Sequence, residues 1–252
     1  MKKIIVSVLI ASSLLLAGCF ESTQEITLNE DGSGTVSNTT DMSAIIAMVK
    51  QMGGGKDLGK LSEQSIDSSF SLAPGADSIP NLTPQEKELI RKGTASISVS
   101  MKEEKFVTNI KLPFNTAGEI ARCNKLSAKV LSETMKSQIP DGSMPAGGQE
   151  IPEPSSIDDY YTYEFSNGEL KRKLNKEKFA HAANDEYLKG IKEAAGMGLE
   201  MKANYIINLP RPAKEVEGKG VKLSADKKKV TISLGIDDFF EDPSLLEYKI
   251  KY

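Results

Sequence analysis

The sequence contains no tryptophan, a single histidine and two cysteines among its 252 residues. One histidine excludes a metal site built from several imidazoles, and two cysteines exclude a zinc ribbon, a four-thiolate iron–sulfur cluster and a disulfide-dense scaffold. Aromatic residues make up only 6% of the chain, which disfavours the aromatic platforms of glycan-processing sites. The formal net charge of −3 argues against bulk attraction to phosphates, so we expect no nucleic-acid partner.

The N-terminal residues 1–18 have the layout of a bacterial lipoprotein signal peptide. Lys2-Lys3 precedes an apolar run over residues 4–16, which is too short to span a bilayer because about 20 apolar residues are needed. The segment Leu-Ala-Gly-Cys at 16–19 then resembles the lipobox. The resemblance implies cleavage before Cys19, attachment of diacylglycerol to its thiol and acylation of the new N-terminus by a fatty acid such as palmitate. The membrane is therefore the first expected partner.

These features predict where the protein resides and how it is divided. We expect residues 19–24 to form a lipidated tether and residues 25–252 to form the folded domain. Phe20 stands where an Asp would mark inner-membrane retention in enteric-type bacteria, which favours the outer membrane of a Gram-negative cell, with the domain in the periplasm or at the cell surface. The segment 138–157 is rich in Pro, Gly, Ser and acidic residues, and it predicts a long loop at which the domain is lobed.

The pattern of hydrophobic residues predicts an α+β fold. A hairpin followed by a helix recurs three times, with turns near Asp31, Glu103 and Asn167. Antiparallel hairpins that alternate with helices favour a twisted antiparallel sheet with helices packed on one face. We expect the third helix to begin after Asn175 and to run as one element to Ala194, with its apolar residues on a single face.

A methionine-bearing helix is expected after Asp41. Its apolar residues could form part of the core, where methionine fills irregular gaps, or the wall of an adaptable apolar pocket. Copper binding through thioethers would require His or Cys nearby, so we predict no metal and no cofactor. The candidate pocket residues share one helical face: they are Met42, Ile45, Met48, Val49 and Met52.

We find no arrangement of residues typical of a catalytic site. His181 falls on the polar face of its predicted helix, and Cys123 falls on an apolar face as a small buried hydrophobe. Acidic pairs such as Asp158-Asp159 and Asp237-Asp238 stand at turns or strand ends, where we expect solvated charge rather than a calcium site. We therefore predict a protein that is not an enzyme, with a carboxylate-based hydrolase of envelope glycans as the alternative.

Two segments carry a pattern that is similar to a known family. A strand ending in Leu-Pro covers Tyr205–Pro210, Val216 follows, and a polar turn enters a strand over Ser224–Val230. An early strand and turn cover Ile26–Gly34. These motifs resemble the LppM-type bacterial lipoproteins. The resemblance implies an envelope lipoprotein with an α+β domain able to bind lipid, and it implies no catalytic residues.

Two non-catalytic functions remain open. The domain could hold a lipid or another apolar ligand between its sheet and its helices, or it could be a scaffold that binds envelope proteins. An acyl chain needs an apolar pocket of about 300 Å³ or more, whereas a scaffold should have a filled core. We favour ligand binding, because the family resemblance points the same way, nothing in the residues contradicts it and the anchor would place the domain beside a source of lipid.

Overall fold

The computed structural model describes residues 19–44, 65–138, 155–196 and 200–252. Within these ranges the chain forms two β-sheets with helices, which confirms the predicted α+β class. All neighbouring strands but one pair run antiparallel. None of the helices in the described ranges is long and apolar enough to cross a membrane.

The larger sheet has eight strands. In chain order they are β1 (Cys19–Leu28), β2 (Gly34–Asp41), β3 (Ser65–Ser71), β4 (Thr94–Ser100), β5 (Lys105–Phe114), β8 (Glu200–Asn208), β10 (Lys222–Leu223) and β11 (Lys229–Gly235). The smaller sheet contains β6 (Tyr161–Ser166), β7 (Glu169–Leu174), β9 (Glu215–Glu217) and β12 (Tyr248–Lys251). The helices are α1 (Pro84–Arg91), α2 (Ile120–Gln138), α3 (Lys176–Phe179), α4 (Glu186–Gly196) and α5 (Ile236–Glu241).

The order of strands in the larger sheet is β10-β11-β8-β1-β2-β5-β4-β3. The central strand β1 pairs antiparallel with β2 and parallel with β8, so residues from both ends of the chain meet in the middle of the sheet. The predicted tether at 19–24 differs from the structure, where β1 begins at Cys19 and Phe20 already pairs with Met201. Neighbours on both sides hydrogen-bond this segment, which orders it as a strand.

One cluster of buried hydrophobic residues connects the two sheets and the helices. Ile26 and Leu112 contribute to it from the larger sheet, Leu170 and Ile250 from the smaller sheet, and Ile120 from α2. The smaller sheet and the larger sheet therefore share one core. The face of the larger sheet that points away from this core carries polar side chains. On it, Asn109 Nδ2 of β5 donates a hydrogen bond of 2.7 Å to Ser37 Oγ of β2.

The helix predicted from Asn175 to Ala194 is divided in the structure. The Asn175 side chain accepts a hydrogen bond from Lys178 N at 3.0 Å and begins the short helix α3. A second polar residue, Asp185, accepts from Leu188 N at 3.0 Å and begins α4. Side chains that cap main-chain N–H groups compete with continued helix, so a second cap inside the segment starts a second helix.

Three sequence predictions concern residues outside the described ranges. They are the signal peptide at 1–18, most of the methionine-bearing helix and residues 139–154 of the predicted long loop. All three predicted hairpins agree with the structure, since β1 pairs with β2, β4 with β5 and β6 with β7.

Candidate functional site

A cavity of about 530 Å³ lies between the larger sheet and the helices α2 and α4. Strands β1, β2, β5 and β8 supply the sheet wall, and a 3₁₀ turn at Ile157–Tyr160 supplies a third side. The volume exceeds the roughly 300 Å³ at which ligand pockets begin. The cavity is therefore the candidate functional site.

The centre of the sheet wall is formed by two rows of inward-facing side chains, beside the apolar pair of Phe20 and Met201. Side chains two residues apart on a strand share a face, and the register aligns such residues across four neighbouring strands. The first row is Tyr205, Gln24, Asn38 and Ile110, and the second is Ala203, Ser22, Thr40 and Thr108. Further along the same strands the inward positions are apolar and belong to the core, as Ile26 and Val36 do. The sheet face thus changes from apolar to polar where the cavity begins.

The helix wall brings apolar side chains opposite this polar face. Leu131 of α2 and Ile191 of α4 are half-buried and line the cavity, and Leu188 is buried beside them. Ala128 lies one helical turn before Leu131 and also lines the cavity. An apolar wall that faces a wall of hydroxyl and amide groups makes the cavity amphipathic.

Met42 is the candidate pocket residue that the described ranges include. It is 4% exposed and lines the cavity, at the point where the chain leaves β2. The other four candidates, at positions 45, 48, 49 and 52, lie outside the described residues. A methionine that sequence analysis did not select, Met201 of β8, lines the cavity as well.

A buried carboxylate also lines the cavity. Asp158 is 1% exposed and stands in the 3₁₀ turn. Its Oδ1 accepts a hydrogen bond from Tyr163 OH at 2.7 Å and forms an ion pair with Arg172 Nη2 at 2.6 Å. Its Oδ2 accepts from Asn124 Nδ2 at 2.7 Å and from the side-chain amide of Gln24. Three hydrogen bonds and one ion pair therefore compensate the charge of this buried carboxylate.

The prediction that Asp158-Asp159 is a solvated turn is wrong for Asp158. The two carboxylates have different surroundings, since Asp159 Oδ2 accepts from Ser156 N at 3.1 Å and begins the turn. Burial raises the pKa of Asp159. Asp158 points the other way, into the shared core, because a buried arginine on β7 offers it a partner. The sequence signal was Arg172 itself, which alternates with Leu170 and Leu174 on one strand.

The guanidinium of Arg172 is enclosed by tyrosine rings. Its central carbon lies 4.1 Å from the ring centroid of Tyr161 and 4.7 Å from that of Tyr205. Burial by itself would lower the pKa of Arg172, but the charge of Asp158, followed by the electrostatic effect of Tyr163, Tyr205 and Tyr248, holds it above the usual value. None of the three guanidinium nitrogens has a hydrogen-bond partner in the described part of the chain, and Nη2 meets Asp158 as an ion pair. Contacts with ring faces replace hydrogen bonds there, as in other cation–π sites.

The charge of Asp158 determines how the neighbouring amides are oriented. A carboxylate only accepts hydrogen bonds, so Gln24 and Asn124 must turn their NH₂ groups towards it. The carbonyl oxygen of Asn124 then accepts from Asn38 Nδ2 at 3.0 Å. One buried ion pair therefore orients a chain of amides from the 3₁₀ turn across α2 to the centre of the sheet, while the carbonyl oxygen of Gln24 has no hydrogen-bond partner among the described residues.

Few charged side chains line the cavity. Asp158 is the one carboxylate among the cavity-lining residues that the structure describes, and Lys202 is an exposed lysine at the same cavity. The described residues contain no group of three or more His, Cys, Asp or Glu side chains suited to a metal ion. Cys123 is buried, which raises the pKa of its thiol to about 12, and His181 is exposed as predicted.

All seven tyrosines have a pKa above the usual value of 10, with desolvation as the largest cause. Because the pKa of each tyrosine is higher in the folded protein than in the unfolded chain, protonated tyrosines favour the folded state. Their contribution to the free energy of unfolding is complete below about pH 10 and is lost as the pH rises through the folded pKa values. We expect phenolate absorbance at 295 nm to appear together with loss of far-ultraviolet circular dichroism. A tyrosine that ionises near pH 10 in the folded protein would contradict this expectation.

Comparison with known proteins gives one structural likeness. No family model matches the chain, and a search of curated proteins finds no match. Among solved structures, the chain resembles the folded domain of the LppM protein of Mycobacterium tuberculosis, determined by NMR. The TM-score is 0.33 and the identity 9%, over 92% of this chain and 90% of that one.

Proposed function

We propose that this domain binds an amphiphilic, lipid-like ligand in the cavity and belongs to a lipoprotein that is anchored to the cell membrane through Cys19. The observation that carries the proposal is the amphipathic cavity of about 530 Å³ between the larger sheet and the helices α2 and α4. No catalytic step is part of the proposal.

The two walls suit the two parts of such a ligand. An acyl chain would lie against Leu131, Leu188 and Ile191, where each methylene removed from water contributes about 0.8 kcal/mol. The polar part would contact hydroxyl groups of the sheet wall such as those of Ser22 and Thr40. Since the amide network is held by a compensated ion pair, the polar wall needs no reordering when a ligand enters.

The position of the proposed anchor supports the same function. Phe20, the residue that follows Cys19, lines the cavity, and β1 continues from there along the sheet wall to Gln24. A lipidated Cys19 would therefore hold this side of the domain near the bilayer surface, since one residue of strand spans only about 3.3 Å. A ligand taken from the membrane would have a short path to the cavity.

Native mass spectrometry of residues 20–252 tests ligand binding without interference from the anchor, since this stretch contains the complete core cluster. We expect a fraction of the protein to carry a co-purifying lipid, visible as a discrete mass increment that organic solvent removes. The delipidated protein should then bind a fluorescent fatty acid. A protein that is free of ligand and does not bind the probe would overturn the proposal.

The two other functions considered from the sequence find less support at this site. A scaffold was expected to have a filled core, and the cavity departs from that expectation. A glycan hydrolase would place two carboxylates about 5–10 Å apart across a cleft. Asp158 is the one carboxylate that the described residues contribute to the cavity, and three hydrogen bonds and an ion pair already engage it.

Lipidation at Cys19 is tested by growing cells with an alkyne analogue of palmitate. We expect the full chain to be labelled and the Cys19→Ala variant to lose the label, because the thiol that carries the diacylglycerol is absent. The Cys123→Ala variant is the matched control and should keep the label, since this second cysteine is buried. Label that persists in Cys19→Ala would refute the proposed anchor.

A further inference from the structure

Strand β3 forms one edge of the larger sheet, and all seven of its residues are exposed. Among the described residues it has a strand partner on one side only, β4. Edge strands usually avoid association through short length, lysine, proline or bulges. The opposite edge strand, β10, is two residues long and contains Lys222. Strand β3 is seven residues long and contains no lysine, arginine, proline or glycine, and Asp67 is its single charged residue.

The two faces of β3 differ in chemistry. Ile66 and Phe70 share the face that continues the inner side of the sheet, and they are 41% and 47% exposed. Ser68 lies between them on the same face. The opposite face carries Asp67, the single charge of the strand, and Ser69. The strand therefore presents an apolar row with serine at its centre.

Hydrogen bonding at the end of β3 shows which main-chain groups point to the open edge. Leu72 N donates to Gly93 O at 3.1 Å, on the side of β4. The main-chain groups of successive residues point to opposite sides of an antiparallel strand, with a period of two residues. Ser68 lies four residues before Leu72, so its N–H and C=O groups also point towards β4. The N–H and C=O groups of Asp67 and Ser69 therefore point outwards, where a further strand would pair with them.

We propose that β3 pairs antiparallel with β3 of a second copy of this chain, about a two-fold axis that passes through Ser68. In this register the main-chain N–H and C=O groups of Asp67 in each copy bond to the C=O and N–H groups of Ser69 in the other copy. Ile66 lies opposite Phe70 of the other copy on both sides of the axis. The interface is isologous, because the same strand of both copies forms it.

The sequence of β3 selects this register over its neighbours. An axis through Asp67 would place two like charges directly opposite each other, which destabilises antiparallel pairs. An axis through Ser69 would place Phe70 opposite Ser68 and remove the apolar pairs. An axis through Ser68 places each Asp67 opposite a serine and places apolar side chains opposite each other, where cross-strand pairs contribute about 0.2–1 kcal/mol each.

Disulfide trapping of the full chain in the bacterial envelope tests the register directly. Ser68 of one molecule would lie opposite Ser68 of the other as a non-hydrogen-bonded pair. The Cα–Cα distance of such a pair is about 4.5 Å, within the range that a disulfide spans. We expect Ser68→Cys to give a dimer on non-reducing gels after mild oxidation. Ser69→Cys is the matched control: it lies opposite Asp67 and should give several-fold less dimer. The unsubstituted chain reports any background from Cys19 and Cys123.

A second variant tests whether pairing depends on the apolar row. Adding Phe70→Lys to Ser68→Cys should lower the crosslinked fraction several-fold while thermal unfolding stays unchanged, because Phe70 is half exposed within one copy. Absence of dimer in Ser68→Cys, equal crosslinking in Ser69→Cys, or crosslinking that is insensitive to Phe70→Lys would each overturn the proposal. None of these outcomes depends on whether the cavity binds a ligand.

Discussion

Replacement of Arg172 by methionine should lower the free energy of unfolding by about 3–5 kcal/mol. Methionine keeps the length and the apolar contacts of the side chain but removes its charge, and Asp158 is then left buried at 1% exposure without a counterion. A loss of this size is a large fraction of the 5–15 kcal/mol typical of a domain. Urea unfolding followed by tyrosine fluorescence and circular dichroism measures it.

Arg211→Met is the matched control for this experiment. Arg211 is nearly half exposed and lies 4.0 Å from Glu30, so its loss should change stability by less than about 1 kcal/mol. The double variant Asp158→Asn/Arg172→Met should recover part of the loss, because no uncompensated charge remains. If Arg172→Met lowers the free energy of unfolding no more than Arg211→Met does, the buried ion pair does not stabilise the 3₁₀ turn at the cavity as described.

Turns and helix caps depend on residues that are close together in the sequence, so they could be predicted from it. The turn at Asn167-Gly168 places both residues in the left-handed region, with φ of 51° and 73°, a conformation that these residue types adopt readily. The sequence Thr-Pro-Gln-Glu at 83–86 forms a capping box, in which the Thr83 side chain accepts from Glu86 N at 3.3 Å and the Glu86 carboxylate accepts from Thr83 N at 2.8 Å. Local chemistry is sufficient for such features.

The site could not be predicted in this way, because its parts are distant in sequence. Gln24 and Asp158 are 134 positions apart, and the parallel pairing of β1 with β8 has no local pattern that announces it. An acidic pair near a turn has the same composition whether it is solvated or buried. Only Arg172, placed between two leucines on an alternating strand, indicated that a charged side chain would enter the core and require a partner.

Filling the cavity should weaken ligand binding at least tenfold without unfolding the protein. Ala128 is half-buried and lines the cavity from α2, so an indole at this position would occupy the space beside Leu131. We expect Ala128→Trp to weaken binding of the fluorescent fatty acid at least tenfold, which corresponds to about 1.4 kcal/mol. The co-purifying lipid should also disappear from native mass spectra. Displacement titrations on the delipidated protein measure the change in affinity.

Lys125→Trp provides the matched control, because Lys125 is exposed one turn earlier on the same helix. The chain has no other tryptophan, so the emission of each variant reports one defined position. Emission from Ala128→Trp should be shifted to the blue because its indole is buried in the cavity, whereas Lys125→Trp should emit like indole in water and keep full affinity. Blue-shifted emission from Ala128→Trp combined with unchanged binding would mean that the ligand is held elsewhere, since the indole and an acyl chain cannot occupy the same volume.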